Sequence, residues 1–199
     1  MKVAGLDLSL TSTGIAVIRD RPRSTSGLDQ MIVTTHRVIS VAPKLPRGAK
    51  PTIRQRRDRI ARVVSEIAEC VLPGLDLAVI EGPSYGSFGG QAWDRAWLWG
   101  AVVERMIGNG VSVAIVQPAT RALWATGSGS SSKSPIAVHM SRMWPQVDPG
   151  VSDDEWDGLA LASMGAQHLG MIPCELARHR QQLDKVSWPD FPAGVELAS

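Results

Sequence analysis

The 199-residue chain has only two cysteines, Cys70 and Cys174. They stand far apart with no Cys-x-x-Cys pair, so a disulfide framework and a cysteine-built zinc cluster are both excluded. Reduced thiols are expected at both positions. No uninterrupted apolar run reaches the ~18 residues that a membrane helix needs. At the N-terminus, Met1-Lys2-Val3-Ala4-Gly5-Leu6-Asp7 puts an acid where a signal peptide would have its apolar region. A soluble, cytoplasmic protein without a membrane partner is therefore expected. No internal repeat is visible. Apolar residues make up 44% of the chain, ample for a packed core, and the length suits one domain with a tail.

The net charge is only +2, but it is unevenly spread. Arg19 to Arg62 carries 12 Lys and Arg against 3 Asp and Glu, while the remaining residues carry 9 against 16. A basic segment opposed to an acidic remainder suggests a surface for a polyanion beside an acidic site. A solvated basic helix would show the same charge pattern.

Residues 2–8 and 13–19 read as strands joined by Ser9-Leu10-Thr11-Ser12, and 31–41, rich in β-branched residues, as a third. Three prolines and a glycine make 42–51 a loop. Over 52–72, Ile53, Ile60, Val63, Val64, Ile67 and Val71 recur at helical spacing with arginines on the other face, and Pro73-Gly74 stops the helix. The short apolar runs 75–80 and 111–116 suit strands buried on both faces. Helices are expected near 91–108, 119–125, 134–144 and 154–168, with a flexible Gly/Ser loop at 127–133. The fold class that follows is α/β, a mixed five-stranded sheet flanked by helices. Residues 170–199 read as a loosely structured tail after a domain at 1–169.

Four acids stand out. Asp7 interrupts an apolar first strand, and Glu81 follows directly on the apolar fourth. A carboxylate in such a place is costly unless it is paired or binds a metal. Asp154 and Asp157, three apart, share one helix face, while Asp153 and Glu155 point elsewhere. Each acid alone has an ordinary explanation as a turn, cap or helix N-terminal charge. Together they offer hard oxygen ligands from three elements, which suits Mg²⁺. Two such ions roughly 3.5–4 Å apart activate water and stabilise the leaving oxygen of a phosphodiester.

At these residues the chain resembles the RuvC-type Holliday-junction resolvases. The matching pieces are Gly5-Leu6-Asp7-Leu8-Ser9 with Thr13-Gly14, then Ile80-Glu81, then Gly127-Ser128-Gly129-x3-Lys133, then Asp154-Glu155-Trp156-Asp157-Gly158-Leu159-Ala160. They fall in the family's order over about residues 1–169. The resemblance implies a ribonuclease H-like fold, a homodimer and paired, Mg²⁺-dependent incision of four-way DNA junctions, with Mn²⁺ able to substitute. Asp7, Glu81, Asp154 and Asp157 would hold two ions per site. Lys133 would touch the phosphate backbone or offset transition-state charge.

Expected DNA contacts are Arg54, Arg56, Arg57, Arg59 and Arg62 on the basic helix, with Arg121 and Lys133. Where the family places an aromatic wedge, this chain has Ser84, and Tyr85 and Phe88 are its neighbours. Either ring can stack on a base or pack on the next helix. Trp93 and Trp97, four apart, suit a dimer contact or a monomer core. Three other functions compete. The Gly/Ser/Thr hairpin also resembles the first phosphate motif of actin-like ATPases and sugar kinases, though those have two such domains. A non-catalytic junction binder would keep the fold, and a flap or fork nuclease would share the same acids.

Overall fold

A computed structural model describes residues 1–20, 31–83, 91–129 and 133–190, except for the side chains of Lys133 and Ser134. Tyr85 and Phe88 lie outside the described residues. The chain opens with β1 (Lys2–Asp7), β2 (Ser12–Arg19) and β3 (Ile32–Ile39). Then follow α1 (Ile53–Val71), β4 (Leu77–Glu81), α2 (Ala92–Ile107) and β5 (Ser112–Val116), and finally α3 (Pro118–Thr126), α4 (Lys133–Met143), α5 (Asp153–His168) and α6 (Ala177–Leu183). The five strands form one sheet in the order β3-β2-β1-β4-β5. β1, β2 and β3 pair antiparallel, and β4 and β5 run parallel to β1. The α/β class and the mixed sheet expected from sequence are both present.

Strand alternation divides the core between two faces. Ala4, Leu6, Ile15, Val17, Ala78 and Ile80 pack against α1 and α2. Val3, Ala16, Ile18, Leu77, Val79, Ala114 and Val116 pack on the other side, against α5 and the α3, α4 and α6 layer. Helix α5 is buried without a break from Glu155 to Gln167, because it lies between the sheet and three further helices. Burial of Leu159, Leu161 and Met164 contributes roughly 2 kcal/mol each. A Ser152/Glu155 capping box starts this helix, and a Thr52/Gln55 box starts α1.

The segment expected to be a loose tail is part of the packed structure as far as it is described. His179, Gln182, Leu183 and Val186 are buried. Trp188 stacks on His168 with ring centroids 4.1 Å apart, and Gln167 Nε2 donates to Pro173 O at 2.9 Å. Sequence periodicity misses α6 because its seven residues are mostly Arg, His and Gln. Its stability comes from partners on α3 and α5 rather than from an apolar stripe. Cys70 packs on the α1/α2 side of the sheet and Cys174 on the other, and both are free thiols. Burial raises the pKa of each. Among the described residues, no helix is long and apolar enough to cross a membrane.

Candidate active site

Register brings the first two acids together. Leu6 is paired with Ile80 across the parallel β1–β4 ladder, so Asp7 and Glu81, each next in its strand, end side by side. Both have the parity of Val3 and Val79, so their side chains belong to the α5 face. β2 adds Ser12, Gly14 and Ala16 on that same face, and Gly14 is registered with Asp7.

Helix α5 reaches this strand end because glycines leave room for it. A Cβ on Gly5 would lie 2.0 Å from the Gly158 carbonyl oxygen, and one on Gly14 would lie 1.9 Å from that of Asp154. Both clashes are with backbone, which cannot swing aside. The first two turns of α5, with Asp154 and Asp157, are thereby seated directly on the hairpin that follows Asp7. The glycines in the sequence motifs are therefore docking positions for a helix. Asp153 is exposed. The Glu155 carboxylate turns back to accept from the Ser152 N–H at 2.9 Å and its hydroxyl at 2.8 Å.

The partners of the acids differ. Ser12 Oγ donates to Asp154 Oδ2 at 2.6 Å, and Arg37 Nε donates to Ser12 Oγ at 2.8 Å. Arg121 is buried and pairs with two acids at once. Its Nε meets Glu81 Oε2 at 2.7 Å, and its Nη1 meets Asp157 Oδ1. Among the described residues, no three acidic, histidine or cysteine side chains are grouped closely enough to hold a metal ion. A guanidinium stands between two of the four expected ligands, Glu81 and Asp157. Arg121 does not offer the surface contact expected of it, because it is buried and ion-paired on both sides and does not present its fork to a DNA backbone.

A cleft of about 200 Å³ opens beside Asp7 and Glu81, lined also by Ser9, Arg95 and Trp99. Trp99 Nε1 donates to Glu81 O at 3.0 Å and braces the strand end. Arg95, exposed on α2 at the rim of this cleft, is a cation that sequence reasoning did not single out. Only its place in the helix after the Gly-rich loop hinted at such a role.

The basic helix divides in two. Arg59 donates to Leu10 O at 2.6 Å and to Ser40 O at 3.0 Å, tying α1 to the ends of the hairpin. Arg56 pairs with Asp94 of α2 through Nε at 2.6 Å, and the pair raises its pKa. Arg54, Arg57 and Arg62 are exposed. Lys133 begins α4, but its side chain is outside the described residues.

The serine and threonine groups of the first hairpin are engaged in the turn. Thr13 Oγ1 donates to Ser9 O at 2.9 Å and accepts from Ser9 N at 3.1 Å, and the Ser9 and Thr11 hydroxyls lie 3.2 Å apart. This is how the hairpin is closed, and it argues against a nucleotide-phosphate cradle there. Trp93 is 82% exposed and Trp97 37%, so the monomer core does not account for the pair.

No protein-family model and no curated protein matches the chain. Solved structures do. The Thermus thermophilus RuvC structure superposes with a TM-score of 0.64 at 20% identity, covering 86% of this chain and 96% of that one. T. thermophilus RuvC in complex with a Holliday junction substrate gives 0.62 at 19% identity, over the same shares. The chain has the fold of a RuvC-type Holliday-junction resolvase.

Proposed function

We propose that the chain is a structure-selective endonuclease that hydrolyses phosphodiester bonds in branched DNA, four-way junctions foremost. It acts as a cytoplasmic homodimer in recombination, repair or replication. One observation carries this: two strand-end acids and the first turn of α5 are brought to the same end of the sheet, beside a cleft with a cationic rim. An acidic centre bordered by arginines suits a reaction at a phosphate, where the cations hold the anionic backbone and the acids serve the reacting atoms.

The donor set consists of carboxylate oxygens, which fits a hard divalent cation such as Mg²⁺, or Mn²⁺ in its place. Asp7, Glu81, Asp154 and Asp157 would hold it, and the bound cation supplies water activation and stabilisation of the leaving oxygen. The residues around them do the positioning. Ser12, itself held by Arg37, fixes the rotamer of Asp154. Arg95 lines the cleft from α2, where it can hold a backbone phosphate, and Lys133, at the start of α4, would add a further phosphate contact. Arg54, Arg57 and Arg62 offer backbone contacts that position the duplex without reading its bases. Trp93 and Trp97 present an aromatic surface suited to the second subunit.

A substrate panel with Mg²⁺ tests this: four-way junction, replication fork, flap, linear duplex and single strand. Symmetric paired nicks in the junction are the expected product. Equal cutting of forks and flaps would widen the substrate class to branched DNA in general. Binding without product at any salt would leave a silent junction binder. ATP hydrolysis without nuclease activity would point to the phosphate-motif alternative. A monomer in light scattering, both free and on DNA, would remove the paired-incision geometry.

A further inference from the structure

The loop between β3 and α1 lies outside the acidic site, and its charge is not offset within the chain. Residues 41–52 carry Lys44, Arg47 and Lys50 and no acid. All three are exposed, and none of them makes an ion pair or a side-chain hydrogen bond among the described residues. The loop is also stiff. Pro43, Pro46 and Pro51 restrict its backbone. Ala49 N–H donates to Pro46 O at 3.0 Å across a turn in which Gly48 has φ +83°, a conformation that glycine adopts without strain. Arg47 stands at the tip of that turn. Three cations presented on one short, stiff loop leave a charge that an external polyanion can offset.

The same loop walls a groove of about 450 Å³, whose other lining comes from α1 and the start of α2. Lys50 lines it on the loop side, and Arg56 and Arg59 line it on the α1 side. Asp94 cancels the charge of Arg56. Arg59 is held by Leu10 O, Ser40 O and Ser40 Oγ, all neutral acceptors, so its charge stands uncancelled. This groove adjoins the cleft beside Asp7 and Glu81. Leu10 lines both, and the start of α2 divides them, with Ala92 and Arg95 on the cleft side and Gln91 and Asp94 on the groove side. A strand with one phosphate in the cleft therefore has a second cationic groove across a single partition. We propose that the loop and its groove form a second phosphate-binding track, which holds the DNA backbone away from the bond to be cut. Lys44, Arg47 and Lys50 make the contacts, and Arg59 adds its positive field beneath them. Contacts to phosphates add affinity and orientation without base preference. The inference rests on branched DNA being the substrate, as proposed above.

The full chain carrying Lys44→Gln, Arg47→Gln and Lys50→Gln together tests this, with binding to a four-way junction measured in EDTA so that nothing is cut. The three side chains hold no other part of the fold, and circular dichroism should match the wild type. Junction affinity is expected to fall about tenfold or more, and the plot of log affinity against log salt to become shallower by about 0.9 for each phosphate released. Ethylation interference then locates the lost contacts. Ethylated phosphates away from the incision point should weaken wild-type binding and cease to matter in the variant, while those next to the incision still matter in both. Wild-type affinity and salt slope in the variant would overturn the inference. A loss of interference confined to the incision point would overturn it too, because the track would then not be separate from the cleft. A wild-type chain that cuts no junction with Mg²⁺, while the variant still loses affinity and slope, would sink the nuclease reading and leave the track standing.

Discussion

Helix α5 carries polar side chains at both of its ends, and both ends meet α3. At the N-terminal end Asp157 meets Arg121, and Asp154 meets Ser12. Three turns on, Gln167 meets Trp124, and Ser163 meets Trp144. The second group is built from neutral dipoles. Trp124 Nε1–H is only a donor, so Gln167 presents Oε1 to it at 2.9 Å. The amide nitrogen of Gln167 then donates to Pro173 O and, at 3.1 Å, to His179 Nδ1. The network thereby assigns the His179 proton to Nε2. His179 stacks on Trp124 with centroids 4.4 Å apart, and its pKa is lowered to about 4 by burial first, then by Arg178 and His139. The histidine end stays neutral and holds α6 to the fold. The acid end gathers like charges around one buried arginine, and the function proposed above rests on that excess. Buried polarity is structural where donors and acceptors match, and it becomes chemical where charge is left over.

The largest effect that separates the two ends is on cleavage. Asp7→Asn is expected to lower junction cutting on the order of 10³-fold while junction binding, followed by gel shift, stays near wild type. Retained cutting would remove Asp7 from the site. Next come the glycines beneath the helix. Gly14→Ala drives a Cβ into the Asp154 carbonyl, whereas a Cβ on Gly165 would meet Val3 and Val79 side chains at 2.7 Å. Urea unfolding should show a loss of roughly 3 kcal/mol or more for Gly14→Ala and a smaller one for Gly165→Ala, since side chains can shift and backbone cannot. Equal losses would show that the acid end is no more tightly docked than the rest.

Gln167→Leu strands the Trp124 N–H and the Pro173 carbonyl and is expected to cost about 2 kcal/mol with cleavage per folded molecule unchanged. A large fall in cleavage would show the two ends to be coupled. Acidification addresses the histidine end as well. The folded pKa of His179 lies below its ordinary 6.5, so the unfolded chain binds the proton first as pH falls. Stability is full above about 6.5 and declines toward 4 with a slope of at most one proton, about 1.4 kcal/mol per pH unit. Urea midpoints across that window should fall, and His179→Phe, which keeps a ring on Trp124, should flatten the dependence. The smallest effect per residue belongs to the exposed arginines. Removing Arg54, Arg57 and Arg62 should make the salt dependence of DNA binding shallower, by about 0.9 for each phosphate that is no longer neutralised. Arg59→Ala, which breaks bonds to Leu10 and Ser40, should act on stability instead.

Much of the fold was legible because its signals are local. The apolar runs before Glu81 and in 111–116 are strands, and the Asp-x-x-Asp spacing does place both acids in the first two turns of α5. Arg56 and Arg59 were not separable from Arg54 and Arg57, because an arginine donating to a distant carboxylate or carbonyl reads the same in sequence as one facing solvent. Arg121 carried a usable sign. Its spacing to Trp124 and Ala125 puts it on an apolar helix face, where an arginine needs a partner. Helix α6 carried none, being short and polar.

What the sequence determined alone is the order of elements, the two faces of the sheet and the location of four acids at element ends. These follow from period-2 and period-3.6 patterning and from caps, which act within a few residues. Only the tertiary structure decided which cation meets those acids, which arginines are surface and which are internal ties, and that buried residues of 170–190 join the packed layer. Each of these depends on groups far apart in the chain meeting at distances of about 3 Å, and no local pattern records such a meeting.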